Sequence, residues 1–231
     1  YLNAGRVSLA LGEFEKILEA APDRYAEIVQ KYKQAFQKEP NNPLVIQALV
    51  NIYLRDNDLK SAVGVVESAY QNDPGLLDEY ILNLNTILDR DIDNPPALYL
   101  LAMCLDQKGD RENAVVILEN LMEGGHYNLA EKAAATILEA KSDDLALSNL
   151  RARNLILMGK EAEAFSILEP FFTRPKEEVV DLLPTLDEIV NRKPDLAKKI
   201  LAFYDRHRKD EPCVFDLAIA LTAFEAGAGE I

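Results

Sequence analysis

Residues 43–76 read PLVIQALVNIYLRDNDLKSAVGVVESAYQNDPGL, and their spacing decides the fold class. Ile46, Leu49, Val50, Tyr53 and Leu54 fall at i, i+3, i+4, i+7 and i+8, the single apolar stripe of an amphipathic helix. Asn42-Pro43 suits the start of that helix, since Asn is a good cap and Pro is tolerated where the backbone N–H would lack a partner anyway. Asn57-Asp58 ends it, because Asn tolerates left-handed backbone and the Asp can cap a second helix from about Leu59 to Gln71. Asp73-Pro74-Gly75 then makes a turn. The stretch is predicted to be a helical hairpin.

Working outward, the same string recurs. Tyr53, Asn57, Ala62, Val66, Glu67, Ala69 and Pro74 are preceded 52 residues earlier by Tyr1, Gly5, Ala10, Phe14, Glu15, Ile17 and Pro22. Another 52 on stand Leu105, Gly109, Ala114, Leu118, Glu119, Leu121 and His126, and 50 beyond those Leu155, Gly159, Ala164, Leu168, Glu169, Phe171 and Lys176. The small residue is the same in every copy, as expected where two helices approach closely and a larger side chain would push them apart.

This pattern resembles the tetratricopeptide repeat (TPR), a 34-residue helical hairpin. Ile46, Leu49, Val50, Tyr53, Asn57, Ala62, Val66, Ala69 and Pro74 carry the likeness over 43–76, and Leu98, Leu101, Ala102, Leu105, Gly109, Ala114, Leu118 and Leu121 over 95–128. Over 145–178 it is carried by Ala152, Leu155, Gly159, Ala164, Leu168 and Phe171, with Ser148 and Arg151 at positions expected to be apolar. The Trp of the first helix in the family pattern is missing throughout. Between the hairpins lie single amphipathic helices at 23–39, 76–90 and 127–140, so each unit reads as three helices, A, B and C. Short connections make consecutive helices antiparallel, so an odd number per unit would reverse helix A from unit to unit unless C lies across the stack. The expectation is an all-α chain: an α-solenoid, a right-handed superhelix-type array of TPR-like hairpins with interposed single helices and armadillo-like three-helix units. It is expected to be one continuous array over 1–231, an excerpt of a longer chain, with units at about 1–42, 43–94, 95–144, 145–178 and 179–212 and a partial unit at 213–231. Pro184 should kink or restart a helix near 177–190, and another helix should follow near 194–208.

Composition narrows the function. The 231 residues are 48% apolar and 28% charged, with 10 Gly and 11 Pro, as in an ordered, core-forming chain. A formal charge of -14 would repel a phosphate backbone, which argues against general nucleic-acid binding, and no apolar run is long enough to span a bilayer. Cys104 and Cys213 form neither a CxxC motif nor a Cys/His cluster, so no disulfide framework, metal site or cofactor is suggested, and the compartment stays open with the cytoplasm slightly favoured. Cys104 lies on an apolar stripe and reads as a core residue, and His126, after Gly124-Gly125, reads as a turn residue. Every motif with a catalytic mechanism is absent from the sequence, and no enzyme activity is expected.

Arrays that contact only their neighbours present extended faces suited to peptides and other domains. The resemblance implies a partner along the helix-A face, which would offer Gln47, Asn51 and Arg55, then Tyr99, Met103 and Asp106, then Asn149 and Arg153. Glu15, Glu67, Glu119 and Glu169 read as a solvated row. A second candidate surface is a basic strip, Lys198, Lys199, Arg206, Arg208 and Lys209, in a segment of net charge +3. Open array ends with Phe215, Leu217, Ile219 and Leu221 are a further route, to a homo-oligomer. The expected function is a non-enzymatic interaction scaffold or adaptor segment of a larger protein binding a protein or peptide partner. The alternative is a regulatory or self-assembly arm of a larger enzyme or transcription factor.

Overall fold

The computed structural model describes residues 7–207. Arg208, Lys209, Cys213 and the apolar residues at 215–221 singled out above lie outside the described residues. Among the described residues every regular element is helical. The α-helices are α1 (Val7–Ala20), α2 (Tyr25–Lys38), α3 (Pro43–Arg55), α4 (Leu59–Asn72), α5 (Leu77–Leu88), α6 (Pro95–Lys108) and α7 (Arg111–Glu123). They continue as α8 (Tyr127–Ala140), α9 (Leu145–Leu157), α10 (Glu161–Leu168), α11 (Lys176–Val179), α12 (Leu183–Arg192) and α13 (Ala197–His207). Among the described residues no helix is long and apolar enough to cross a membrane.

The local chemistry fixes the helix ends. Asn42 Oδ1 accepts from Leu44 N at 3.1 Å with Pro43 in the first turn, and Asp58, Asn94 and Asp144 cap α4, α6 and α9 in the same way. Asn57 (φ 56°) and Gly109 (φ 93°) take the left-handed backbone that closes a helix, as the sequence predicts. Pro184 sits in the first turn of α12, so the expected interruption is a restart: α11, a 3-10 turn at Val180–Leu182, then α12.

The chain divides into two compact units, Tyr1–Ile117 and Leu118–Ile231. In the first, α3 pairs with α4 and α5 with α6, while α1, α3 and α5 lie side by side in one row and α4 and α6 in the other. Its core holds Tyr32, Ile46, Ile52, Tyr80, Leu84 and Ile87, all fully buried. In the second, α9 packs between α8 and α10, and α12 packs on both α9 and α10. Its core includes Leu155, Ile156, Leu168, Leu186, Ile189 and Tyr204.

The interposed helices are present as α2, α5 and α8, but α5 does not lie across its neighbours. It packs between α4 and α6 and beside α3, so it is a full member of a row. Alternate helices from α3 onward start at Pro43, Leu77, Arg111 and Leu145, each 34 residues after the last. Several long-range hydrogen bonds span about that interval: Tyr70 Oη to Gln107 (separation 37), Arg192 Nη1 to the Ile156 carbonyl (36) and Arg206 Nη1 to the Phe172 carbonyl (34). The structural repeat is thus two helices. The 52-residue sequence repeat spans three, which is one and a half hairpins, so equivalent residues alternate between rows. Ala10 on α1 and Ala62 on α4 are both buried although their helices occupy opposite rows, because every helix in such an array needs one close approach to a neighbour. In the first unit the three-helix, armadillo-like arrangement is therefore replaced by a two-helix rhythm.

Candidate functional site

Helix α3 presents Gln47, Asn51 and Arg55, all exposed and spaced four apart along one face. Leu44 begins the same face and is 51% exposed. Beside it in the row, α5 presents Asp78, Leu82, Asn85 and the following Asp89, with Leu82 56% exposed. Asn85 stands 34 residues after Asn51, in the equivalent place on its helix. The α5 residues are absent from the sequence-based site because the 52-residue reading assigns that helix to a different role. The 34-residue interval between the two asparagines is the signal that would have found them.

The two other expected segments have different settings. Helix α6 belongs to the row of α4, so Tyr99, Met103 and Asp106 do not extend the α3 face. Tyr99 is half-buried against the first core. Asp106 meets Arg111 at 2.6 Å across the α6–α7 turn, with both side chains four-fifths buried, so its charge serves the turn. In the second unit, the Asn149 amide donates to the Asp181 carbonyl at 3.1 Å and accepts from Thr185 Oγ1 at 2.7 Å, tying α9 to the restart of α12. Arg153 is exposed and faces Glu119 at 3.7 Å.

The recurring glutamates are solvated, and three of the four also approach a cation of the next hairpin. Glu15 pairs with Arg55 at 3.3 Å, Glu119 with Arg153 at 3.7 Å and Glu169 with Lys199 at 3.9 Å. Glu15 also accepts from the buried Tyr32 hydroxyl at 2.8 Å. Each cation lies 30 to 40 residues downstream of its glutamate, about one hairpin. Exposed pairs of this kind contribute little stability, on the order of 0–1 kcal/mol. Ser148 and Arg151, which break the apolar pattern of α9, are also accounted for. Arg151 reaches Glu131 on α8 at 2.6 and 2.8 Å, and Ser148 and Arg151 both line a cavity of about 320 Å³ floored by Leu138, Ile167 and Phe171.

Cys104 is fully buried, and burial pushes its thiol up to about 12, the behaviour of a core residue. His126 is half-buried in the turn before α8. Among the described residues no group of three or more His, Cys, Asp or Glu side chains could hold a metal. Lys198, Lys199 and Arg206 of the basic strip are exposed on α13.

No known family profile matches the chain, and no curated protein matches it. Solved structures do. A tetratricopeptide repeat protein from Parabacteroides merdae is 20% identical over 90% of this chain and 98% of its own, with a TM-score of 0.32. A thermophilic TPR protein of Thermus thermophilus is 17% identical over 90% and 93%, with a TM-score of 0.31. The Naa15/Naa10 structure bound to HypK-THB gives 17% identity over 85% of this chain and 36% of the matched one, at 0.31. With scores this low the weight falls on the helices themselves. On their order, their 34-residue phase and their packing in pairs, the chain is an all-α repeat protein of TPR-like helical hairpins.

Proposed function

We propose that the chain is a non-catalytic protein-interaction scaffold whose partner segment lies along the exposed row made by α3 and α5. The observation that supports this reading is the pair Asn51 and Asn85, exposed at equivalent places on adjacent helices of one row. A primary amide both donates and accepts, so two of them at repeat spacing can pair with the backbone of an extended peptide whatever its side chains. Leu44 and Leu82 add apolar contact at their sides, and Arg55 and Asp89, at the far ends of the two helices, supply charges of opposite sign. The proposal narrows the helix-A face inferred from sequence. Gln47, Asn51 and Arg55 stay in it and α5 joins it; Tyr99, Met103 and Asp106 leave it with the row of α6, and Asn149 and Arg153 leave it for the contacts within the second unit described above.

Peptides selected by display against the 231-residue chain provide the test. Replacing both amides, Asn51→Ala/Asn85→Ala, removes two hydrogen bonds worth about 1 kcal/mol each, so anisotropy titrations should weaken by about 30-fold. Selected peptides that bind parent and double variant equally would place recognition elsewhere.

A further inference from the structure

The basic strip that the scaffold reading leaves unused borders a small pocket. Lys199, Ala202, Phe203 and Arg206 lie at i, i+3, i+4 and i+7 on α13, one face of the helix, opposite Glu169 and Phe172 of the 3-10 turn after α10. The pocket they enclose holds about 310 Å³, at the small end for ligand sites and suited to one apolar side chain. Its floor is the stacked pair Phe172 and Phe203, ring centroids 4.3 Å apart. Cations flank it at both ends. Arg206 is steadied by a bond to the Phe172 carbonyl at 3.4 Å, one of its five N–H groups, and Lys199 sits 5.3 Å over the Phe165 ring with only a loose 3.9 Å approach to Glu169. The two charges are two helical turns apart, about 10 Å along the axis.

A chain of net charge -14 carries its own complement to this site. Ile92, in the loop between α5 and α6, is 76% exposed, more than any other large apolar side chain among the described residues. It is flanked by the exposed Asp89 and Asp93, with Arg90 the one opposing charge in the loop. The loop is braced to display it. Asn94 donates to Asp91 Oδ2 at 3.0 Å while capping α6, and the Asp91 and Asn94 backbone amides donate to the Ile87 and Asp91 carbonyls. Asp89 and Asp93 lie on either side of Ile92 in this turned loop, and the long flexible stems of the exposed Lys199 and Arg206 let their charges move in toward them.

We propose that the pocket between α13 and the turn after α10 receives the Ile92 loop of a second copy of this chain, Ile92 on the two phenylalanines and Asp89 and Asp93 against Lys199 and Arg206. Loop and pocket are different surfaces, so the contact is heterologous and joins copies head to tail, leaving a free loop at one end and a free pocket at the other. Of the α3–α5 row only Asp89 takes part in it, and the variants Asn51→Ala/Asn85→Ala and Ile92→Asp alter different residues, so the two proposals are tested separately.

Sedimentation velocity of the full 231-residue chain over about two decades of concentration tests the contact. The parent should shift to larger species as concentration rises, and added salt should reverse the shift by screening the ion pairs. Ile92→Asp, on an exposed loop, and Lys199→Glu/Arg206→Glu, on an exposed helix face, should each sediment as monomer while keeping the parent's helical circular dichroism. Mixed one to one, they should form a species of two copies that grows no further, because one variant retains the pocket and the other the loop. A parent that stays monomeric throughout, variants that associate like the parent, or a mixture that remains monomeric would each overturn the proposal.

Discussion

Leu84 and Leu82 lie two residues apart on α5, one fully buried and one 56% exposed, and truncating each to alanine tests whether α5 is a full member of its row. Leu84→Ala removes three carbons' worth of buried surface at ~0.8 kcal/mol per group, about 2.4 kcal/mol. A residual void of ~50 Å³ at ~24 cal/mol per Å³ adds about 1 kcal/mol, for a loss of about 3–4 kcal/mol. Leu82→Ala forfeits less than half of that surface, creates no enclosed void and places a better helix former on an exposed face, so it should cost under about 1 kcal/mol. Urea unfolding followed by helical circular dichroism gives both values from the midpoint shift at a common slope. Equal costs for the two leucines, or a Leu84→Ala loss below about 1 kcal/mol, would mean that α5 is not seated between α4 and α6 in this register. The two-helix rhythm would then fail.

Other expectations follow from single sites. Tyr32→Phe keeps a fully buried ring but removes the 2.8 Å bond to Glu15, and should lower unfolding free energy by about 1 kcal/mol in the same urea assay. Gly64→Ala, mid-helix in α4 with open space where the methyl would go, should stabilise by about 0.5–1 kcal/mol, whereas Gly109→Ala, at φ 93°, should destabilise by about 1 kcal/mol or more; a reversed order would contradict the helix assignments. Burial raises the Asp187 carboxyl above its ordinary 3.8, and the bond donated by Tyr204 at 2.7 Å opposes that shift. Because the folded value exceeds the unfolded one, the native state holds the proton more tightly, and stability should fall as pH rises from 3.8 through the folded pKa. Tyr204→Phe should move the carboxyl resonance titration of Asp187 still higher, and an unchanged or lower midpoint would refute the assignment. In a Cys213→Ser background, Cys104 should resist thiol reagents at neutral pH until the chain is unfolded, since burial pushes its thiol up to about 12; prompt labelling of the native chain would contradict its place in the core.

The helices, their ends and their apolar faces were legible in the sequence because they are set locally. The apolar spacing of Ile46, Leu49, Val50 and Tyr53, the caps Asn42 and Asp58, the left-handed Asn57 and Gly109 and the restart at Pro184 depend on residues within a turn or two of one another. The basic strip was visible too, as a local excess of Lys and Arg. The aromatic floor beside it was not, because Phe172 and Phe203 meet from segments 31 residues apart.

By itself, then, the sequence determined an all-α chain of paired amphipathic helices, with small residues where helices approach and turns where they end. Only the tertiary structure decided which helices share a row. A repeat of three helices and a packing rule of two fall out of step, and a side chain carries the same apolar pattern in either row because burial against a neighbour demands the same chemistry on both sides. That is why Asn51 and Asn85 belong to one face while Asn51 and Met103 do not. Partner choice among helices is a long-range matter of alternation and close packing, which no window of sequence contains.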